Sequence, residues 1–177
     1  MTSLRMGFAL LLALLTGCVN MPETYAPPMQ RKPLAGPDTS KLKHYVAMND
    51  PLAMEHVLRD VNPALEGELW RWTGQKPTFR FYLPTVRRLR FEMHFSIHSD
   101  TMKQTGPLTV SYFINGRPLD KITYDKPGEQ HFEKPVDPSW LLKNSVNVAS
   151  AELDKIFVAP EDGAQLGLTL IRVGFRE

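Results

Sequence analysis

Only one cysteine, Cys18, occurs in 177 residues. The chain therefore forms no internal disulfide and holds no thiolate cluster of the kind that builds Cys-rich zinc modules. Long apolar runs are equally scarce. The run Gly7–Leu15 would rise only about 13 Å as a helix, less than half of a roughly 30 Å hydrocarbon core, so it is too short to span a membrane. Excess charge is missing too: Lys+Arg number 21 against Asp+Glu 19, a formal net charge of +2, which excludes the concentrated positive field of a dedicated nucleic-acid binder. No Gly-x-Ser-x-Gly elbow, phosphate-cradling glycine loop or His-Glu-x-x-His helix is present, and the corresponding enzyme classes go with them. No catalytic residue is assigned, no cofactor or metal is expected, and the chain is read as a non-enzyme.

What is present begins with an address. Arg5 precedes the apolar run, and Thr16-Gly17-Cys18 follows it, the order of a secretory signal covering residues 1–17. Leu15-Thr16-Gly17-Cys18 resembles the lipobox of bacterial lipoproteins. That resemblance implies lipidation of Cys18, cleavage just before it, and a membrane-anchored protein of the cell envelope. Val19 in place of Asp implies transfer to the outer membrane if the host is Gram-negative. Five prolines lie between Val19 and Lys43 (Pro22, Pro27, Pro28, Pro33 and Pro37), so residues 18–43 read as the lipidated cysteine and an extended Pro-rich tether.

Residues 44–177 read as one folded domain. From His44 to Gly67 the pattern is mixed, and Asp50-Pro51 suits the start of a short helix as well as an opening strand suits the apolar residues around it. Beyond Trp70 the period becomes two. Phe79-Arg80-Phe81-Tyr82-Leu83 and the nine residues Leu89–Ile97 alternate strictly, which is the pattern of strands with one face in a core. Leu108–Ile114 runs into Asn115-Gly116, a hairpin signal, and Arg117–Tyr124 returns antiparallel. Gln130–Val136, Ser145–Ser150 and Gln165–Phe175 supply further strands, with Pro160–Gly163 as a loop before the last. Seven or eight strands with no long helix predict an all-β antiparallel sandwich. Its core is expected to hold Phe79, Phe81, Leu89, Phe91, Met93, Phe95, Val110, Ile114, Leu168 and Leu170.

The span from about Glu66 to Phe175 resembles the jelly-roll modules of the galactose-binding-like and carbohydrate-binding-module type. The residues that carry it are Trp70-Arg71-Trp72, Phe113-Ile114-Asn115-Gly116 and the closing Val158–Gly167 segment. Such modules share a shape while binding different sugars or none, so the resemblance implies a fold and not a ligand.

Two functional readings follow. In the first, the sandwich is an assembly module that docks onto another envelope protein through a sheet edge. In the second, Trp70 and Trp72, with Tyr82 or Tyr112 near them, stack on the C–H face of a sugar while Arg71, Arg80 or Asn115 donate hydrogen bonds. The first is placed ahead, since the second requires the tryptophans to reach the surface. Among other candidates, Glu66, Glu68, Asp100 and Asp120 are read as solvated acids, Asp162 as a turn residue that could hold a structural calcium, and Arg87, Arg88 and Arg90 as a charged edge. His94 and His98 share a strand face with Glu92 and Arg90, but four residues of strand part them by about 13 Å, too far to share one ion.

Overall fold

Where hydrophobic residues alternate, the chain is extended and puts them on one side. In the computed structural model, which describes residues 38–177, Phe79, Phe81 and Leu83 all point inward, as do Phe91, Met93, Phe95 and Ile97. Eleven strands result: β1 (Tyr45–Ala47), β2 (Val57–Val61), β3 (Arg71–Leu83), β4 (Arg90–Ile97), β5 (Leu108–Ile114), β6 (Arg117–Tyr124), β7 (Gly128–Pro135), β8 (Ser145–Leu153), β9 (Phe157–Val158), β10 (Gln165–Leu166) and β11 (Thr169–Arg176). Two short helices, α1 (Ala53–His56) and α2 (Ser99–Thr105), interrupt them. Among the described residues no helix is long and apolar enough to cross a membrane. The signal segment, Cys18 and most of the tether lie outside the described residues.

The main sheet runs β6-β5-β8-β3-β11-β4-β7, with β1 added to β11 and β2 to β3, and every pairing is antiparallel. It folds at β3. The second half of that strand, Thr78–Leu83, pairs with β8, whereas Arg71 and Trp72 pair with Leu170 and Thr169 of β11. One long strand therefore serves both layers of an all-β, jelly-roll-like sandwich, as expected. The layers meet through aromatic pairs: Tyr112 of β5 stacks on Phe132 of β7 at 3.6 Å, Phe81 of β3 meets Phe175 of β11 edge-on at 5.6 Å, and Phe95 of β4 meets Tyr124 of β6 at 5.4 Å. Each such side chain contributes roughly 1.5–3 kcal/mol when fully buried.

Several details differ from the sequence reading. The ambiguous stretch after His44 forms both elements it suggested, a strand on either side of the single helical turn α1. Asp38–Lys43, read as tether, packs against the domain: Leu42 is buried, Lys41 pairs with Glu55 at 3.2 Å, and the Lys43 backbone N–H donates to His56 Nε2 at 3.3 Å. Helix α2 was not expected. It is held by the His98 side chain, which accepts from the Asp100 N–H, and it buries little besides Thr101. The Asn115-Gly116 turn forms with both residues at positive φ, 48° and 78°, as a two-residue hairpin of this handedness requires.

Candidate functional site

The even residues of β3 point outward, and at its start that places Trp72 at one end of the sandwich. Its ring is half-buried and held between two edge contacts, one to Trp70 at 5.5 Å and 88°, the other to His98 at 6.0 Å and 61°. A cleft of about 610 Å³ opens beside it, within the size range of small-molecule sites. The loop after β2 supplies Asn62 and Glu66, helix α2 supplies Asp100 and Gln104, and the β9–β10 hairpin supplies Phe157, Glu161, Asp162 and Leu166. A second depression of about 420 Å³, which takes in Asp60 and Gly74, shares Asn62, Trp72, Ala164 and Leu166 with the first. The indole thus stands between two hollows.

The walls of the cleft are tied in place. Both polar atoms of the Gln104 amide are spent on Val158, its Nε2 donating to the carbonyl at 3.3 Å and its Oε1 accepting from the N–H at 3.1 Å, which fixes α2 to β9. Asp162 Oδ1 accepts from the Ala164 N–H at 2.9 Å and shapes the hairpin tip. The Asn62 N–H donates to the Trp72 carbonyl at 2.8 Å, while Asn62 Oδ1 accepts from the Ala64 N–H at 2.9 Å. Behind the cleft, Gly167 sits so close to β3 that a Cβ there would lie 2.5 Å from the Gly74 carbonyl oxygen and 2.7 Å from Thr73 Oγ1.

Charge gives the cleft its character. Glu66, Asp100, Glu161 and Asp162 all line it, and no Lys or Arg does. Asp100 is held below the usual carboxylate range by the hydrogen bond it accepts from Lys103 Nζ, at 2.9 Å. The remaining carboxylate oxygens are acceptors for hydroxyl or ammonium groups, and they repel an anion.

Of the residues singled out from the sequence, Trp70 and Trp72 come together here, with Trp72 facing the cleft. Glu66, Asp100 and Asp162, read as solvated acids or a turn residue, line the cleft with Trp72, and His98 meets its ring; the other proposed sugar contacts do not join them. Arg71 alternates inward; its Nε donates to the Met48 carbonyl at 3.0 Å and its Nη1 to the Pro63 carbonyl, so the buried guanidinium ties two loops to the sheet and leaves no fork for a ligand. Arg80 and Tyr82 share the outward face with Trp72 but lie eight and ten residues along the strand, about 26 and 33 Å away at 3.3 Å per residue. Arg80 Nε donates to the Glu55 carbonyl at 2.8 Å. Tyr112 is fully buried, its hydroxyl 2.8 Å from that of Tyr124, and burial pushes its phenol pKa upward. Asn115 is locked as well: its Nδ2 donates to the Trp140 carbonyl at 2.8 Å and to Asn147 Oδ1 at 2.9 Å, and its Oδ1 accepts from the Val148 N–H at 2.8 Å. Asn62, Gln104 and Glu161 were not singled out. Gln104 lies on the unforeseen helix, and Glu161 lies in a loop recognised only as a loop.

No protein-family model matches the chain. No curated protein matches it either. Solved structures with a similar course of chain include a family 35 carbohydrate-binding module described in complex with a glucuronic-acid-containing disaccharide, at 12% identity and TM-score 0.47 over 75% of this chain and 92% of that one. A family 35 module from Cellvibrio japonicus matches at 13% identity and TM-score 0.42, over 77% of this chain and 91% of that one. An acetyl xylan esterase from the rumen bacterium Butyrivibrio proteoclasticus matches at 11% identity and TM-score 0.42, over 76% of this chain but only 32% of that one. At such similarity no ligand, reaction or site residue passes from them to this chain.

Proposed function

We propose that this protein is a non-catalytic, lipid-anchored envelope protein whose sandwich binds a glycan at the Trp72 cleft. The supporting observation is the half-buried Trp72 ring, fixed by two edge contacts between two hollows and surrounded by carboxylate and amide groups. A sugar presents an apolar C–H face for an indole and a rim of hydroxyls for acceptors, so this pairing of surfaces suits it. The four carboxylates favour a neutral or amine-bearing sugar over a uronic acid or a sulfated one. The docking reading takes second place because it draws on no comparable site. Lipid on Cys18 and the proline-rich tether would hold the cleft near an envelope surface, where weak binding gains from high local concentration.

A glycan array probed with the purified chain tests this. Binding to neutral or amino-sugar glycans, lost in Trp72→Ala and kept in Tyr82→Ala, is the expected result. Array silence together with a specific crosslinked envelope protein would replace the sugar reading by docking. Hydrolysis of a glycan by the purified chain would overturn the non-catalytic reading.

A further inference from the structure

Away from the cleft, on the outer face of the β11-β4-β7 layer, antiparallel register does what sequence spacing could not. His94 of β4 stands directly opposite His131 of β7, with ring centroids 4.0 Å apart and planes inclined at 70°. Glu92, two residues before His94 and on the same face, completes the group. One ligand atom from each of these three side chains lies within 4.8 Å of the others. The strand-separated pair His94 and His98 was too far apart to share an ion; the cross-strand pair is not.

Burial sets this group apart from an ordinary wet face. Glu92 is only 4% exposed, an unusual position for a carboxylate on the outside of a sheet. It is positioned from two sides: the Tyr45 hydroxyl donates to Oε1 at 2.8 Å, and Arg176 Nη1 lies 3.7 Å from Oε2. Tyr45 is itself pressed against the sheet at Gly174, φ 150°, where a Cβ would lie 2.5 Å from the Tyr45 Cα. On the other side, His131 Nε2 is 3.6 Å from Glu133 Oε2, and Glu133 is ion-paired with Arg90. Arg172 stands in register with His94 on β11, so Arg172, Arg176 and Arg90 bring positive charge near the group. His94 Nε2 lies 2.6 Å from Glu92 Oε1, close enough for the two to form an ion pair, but that pair gives His131 no part.

We infer that Glu92, His94 and His131 form a binding site for a borderline divalent transition-metal ion of the zinc, cobalt or copper type. Two imidazoles and one carboxylate match that class, whereas calcium and magnesium prefer all-oxygen sets. The half-exposed histidines leave the remaining coordination positions toward water. Such an ion would clasp β7, the last strand of the sheet order, to β4. The site shares no residue with the Trp72 cleft and does not depend on the glycan reading.

Titration of the full-length chain with Co2+, followed by visible absorption, tests it, with Zn2+ as competitor. One equivalent should produce a ligand-field band that Zn2+ abolishes and excess Ca2+ does not. His131→Ala, at a half-exposed position where the fold should tolerate it, should weaken binding at least tenfold, in line with the loss of one of three ligands; His94→Ala should do the same. His44→Ala, an exposed histidine outside the group, should leave the band intact. Absence of a saturable band, or equal affinity in the wild type and His131→Ala, would overturn the site.

Discussion

Asn115 donates its side-chain Nδ2 to Asn147 Oδ1 at 2.9 Å, and the pair joins the β5–β6 hairpin to β8. Asn147 is completely buried yet lacks no partner: its oxygen also accepts from the Leu142 N–H at 2.8 Å, and its nitrogen donates to the Leu142 and Ser145 carbonyls at 2.8 and 3.2 Å. A buried polar group left without its partner costs about 1–3 kcal/mol. Asn147→Ala orphans several at once, so it should lower stability by about 2–4 kcal/mol, seen as a shifted urea midpoint at an unchanged slope. An unmoved midpoint would mean that water replaces the network without loss.

That network also shows where sequence reading stopped. The Asn-Gly turn was legible because positive φ at both central residues is a local demand; the partner 32 residues on was not, because nothing local points to it. The strands were legible through their period of two, and with them the shared face of Trp70 and Trp72. The same alternation sends Arg71 inward, strand length sends Arg80 and Tyr82 to the far end, and Tyr112 and Asn115 are held in the core and in the hairpin network, so of the proposed sugar contacts only Trp70 and Trp72 meet. Helix α2 has seven residues and almost no apolar stripe, hence no periodic signal. The meeting of His94 with His131 is a matter of register between strands, which hydrophobic pattern does not reveal beyond choice of face.

His56 should make the domain sensitive to mild acid. It is fully buried against Phe81, with Nδ1 3.0 Å from the Arg80 carbonyl and Nε2 accepting from the Lys43 N–H. That arrangement needs a neutral ring. Burial holds its pKa below the ordinary value, and the bond to the Arg80 carbonyl and the charge of Asp50 only partly counter this. Above about pH 6.5 the ring is neutral in both folded and unfolded chains. Below that the unfolded chain takes up a proton that the folded one refuses, so stability falls until the folded value is passed, by at most about 1.4 kcal/mol per pH unit. Urea unfolding at pH 7.5 and pH 5.5 should show a smaller drop in His56→Gln than in the wild type. Equal drops would assign the acid sensitivity to other groups.

The proposed anchor would rest on one atom, the Cys18 sulfur. If acyl chains are attached there, each buried methylene adds about 0.8 kcal/mol to membrane attachment, and two or three chains make it effectively permanent. Metabolic labelling with a tagged fatty acid should mark the wild-type protein and not Cys18→Ser, which should also leave the membrane fraction. Equal labelling of both forms would remove the lipoprotein reading while leaving the cleft unaffected.

Gly167 ties the stability of the fold to the shape of the cleft. Its N–H donates to the Thr73 carbonyl at 2.7 Å, the neighbouring Leu168 N–H donates to Thr73 Oγ1 at 2.8 Å, and the Thr73 N–H returns a bond to the Leu168 carbonyl at 2.8 Å. This close seam holds Leu166 beside Trp72. A methyl group at Gly167 would collide with the Gly74 carbonyl, which is backbone and yields only if the β9–β10 hairpin moves away from β3. Overpacking of this kind costs about 1–3 kcal/mol. Gly167→Ala should therefore unfold at lower urea and, under conditions where it is still folded, bind a glycan that the array identifies more weakly than the wild type although every cleft side chain is retained. Trp72→Ala should instead lose glycan binding with a smaller loss of stability, since that ring is half-exposed. If Gly167→Ala is destabilised but binds as tightly as the wild type, the seam supports the fold alone and the cleft is shaped by other contacts.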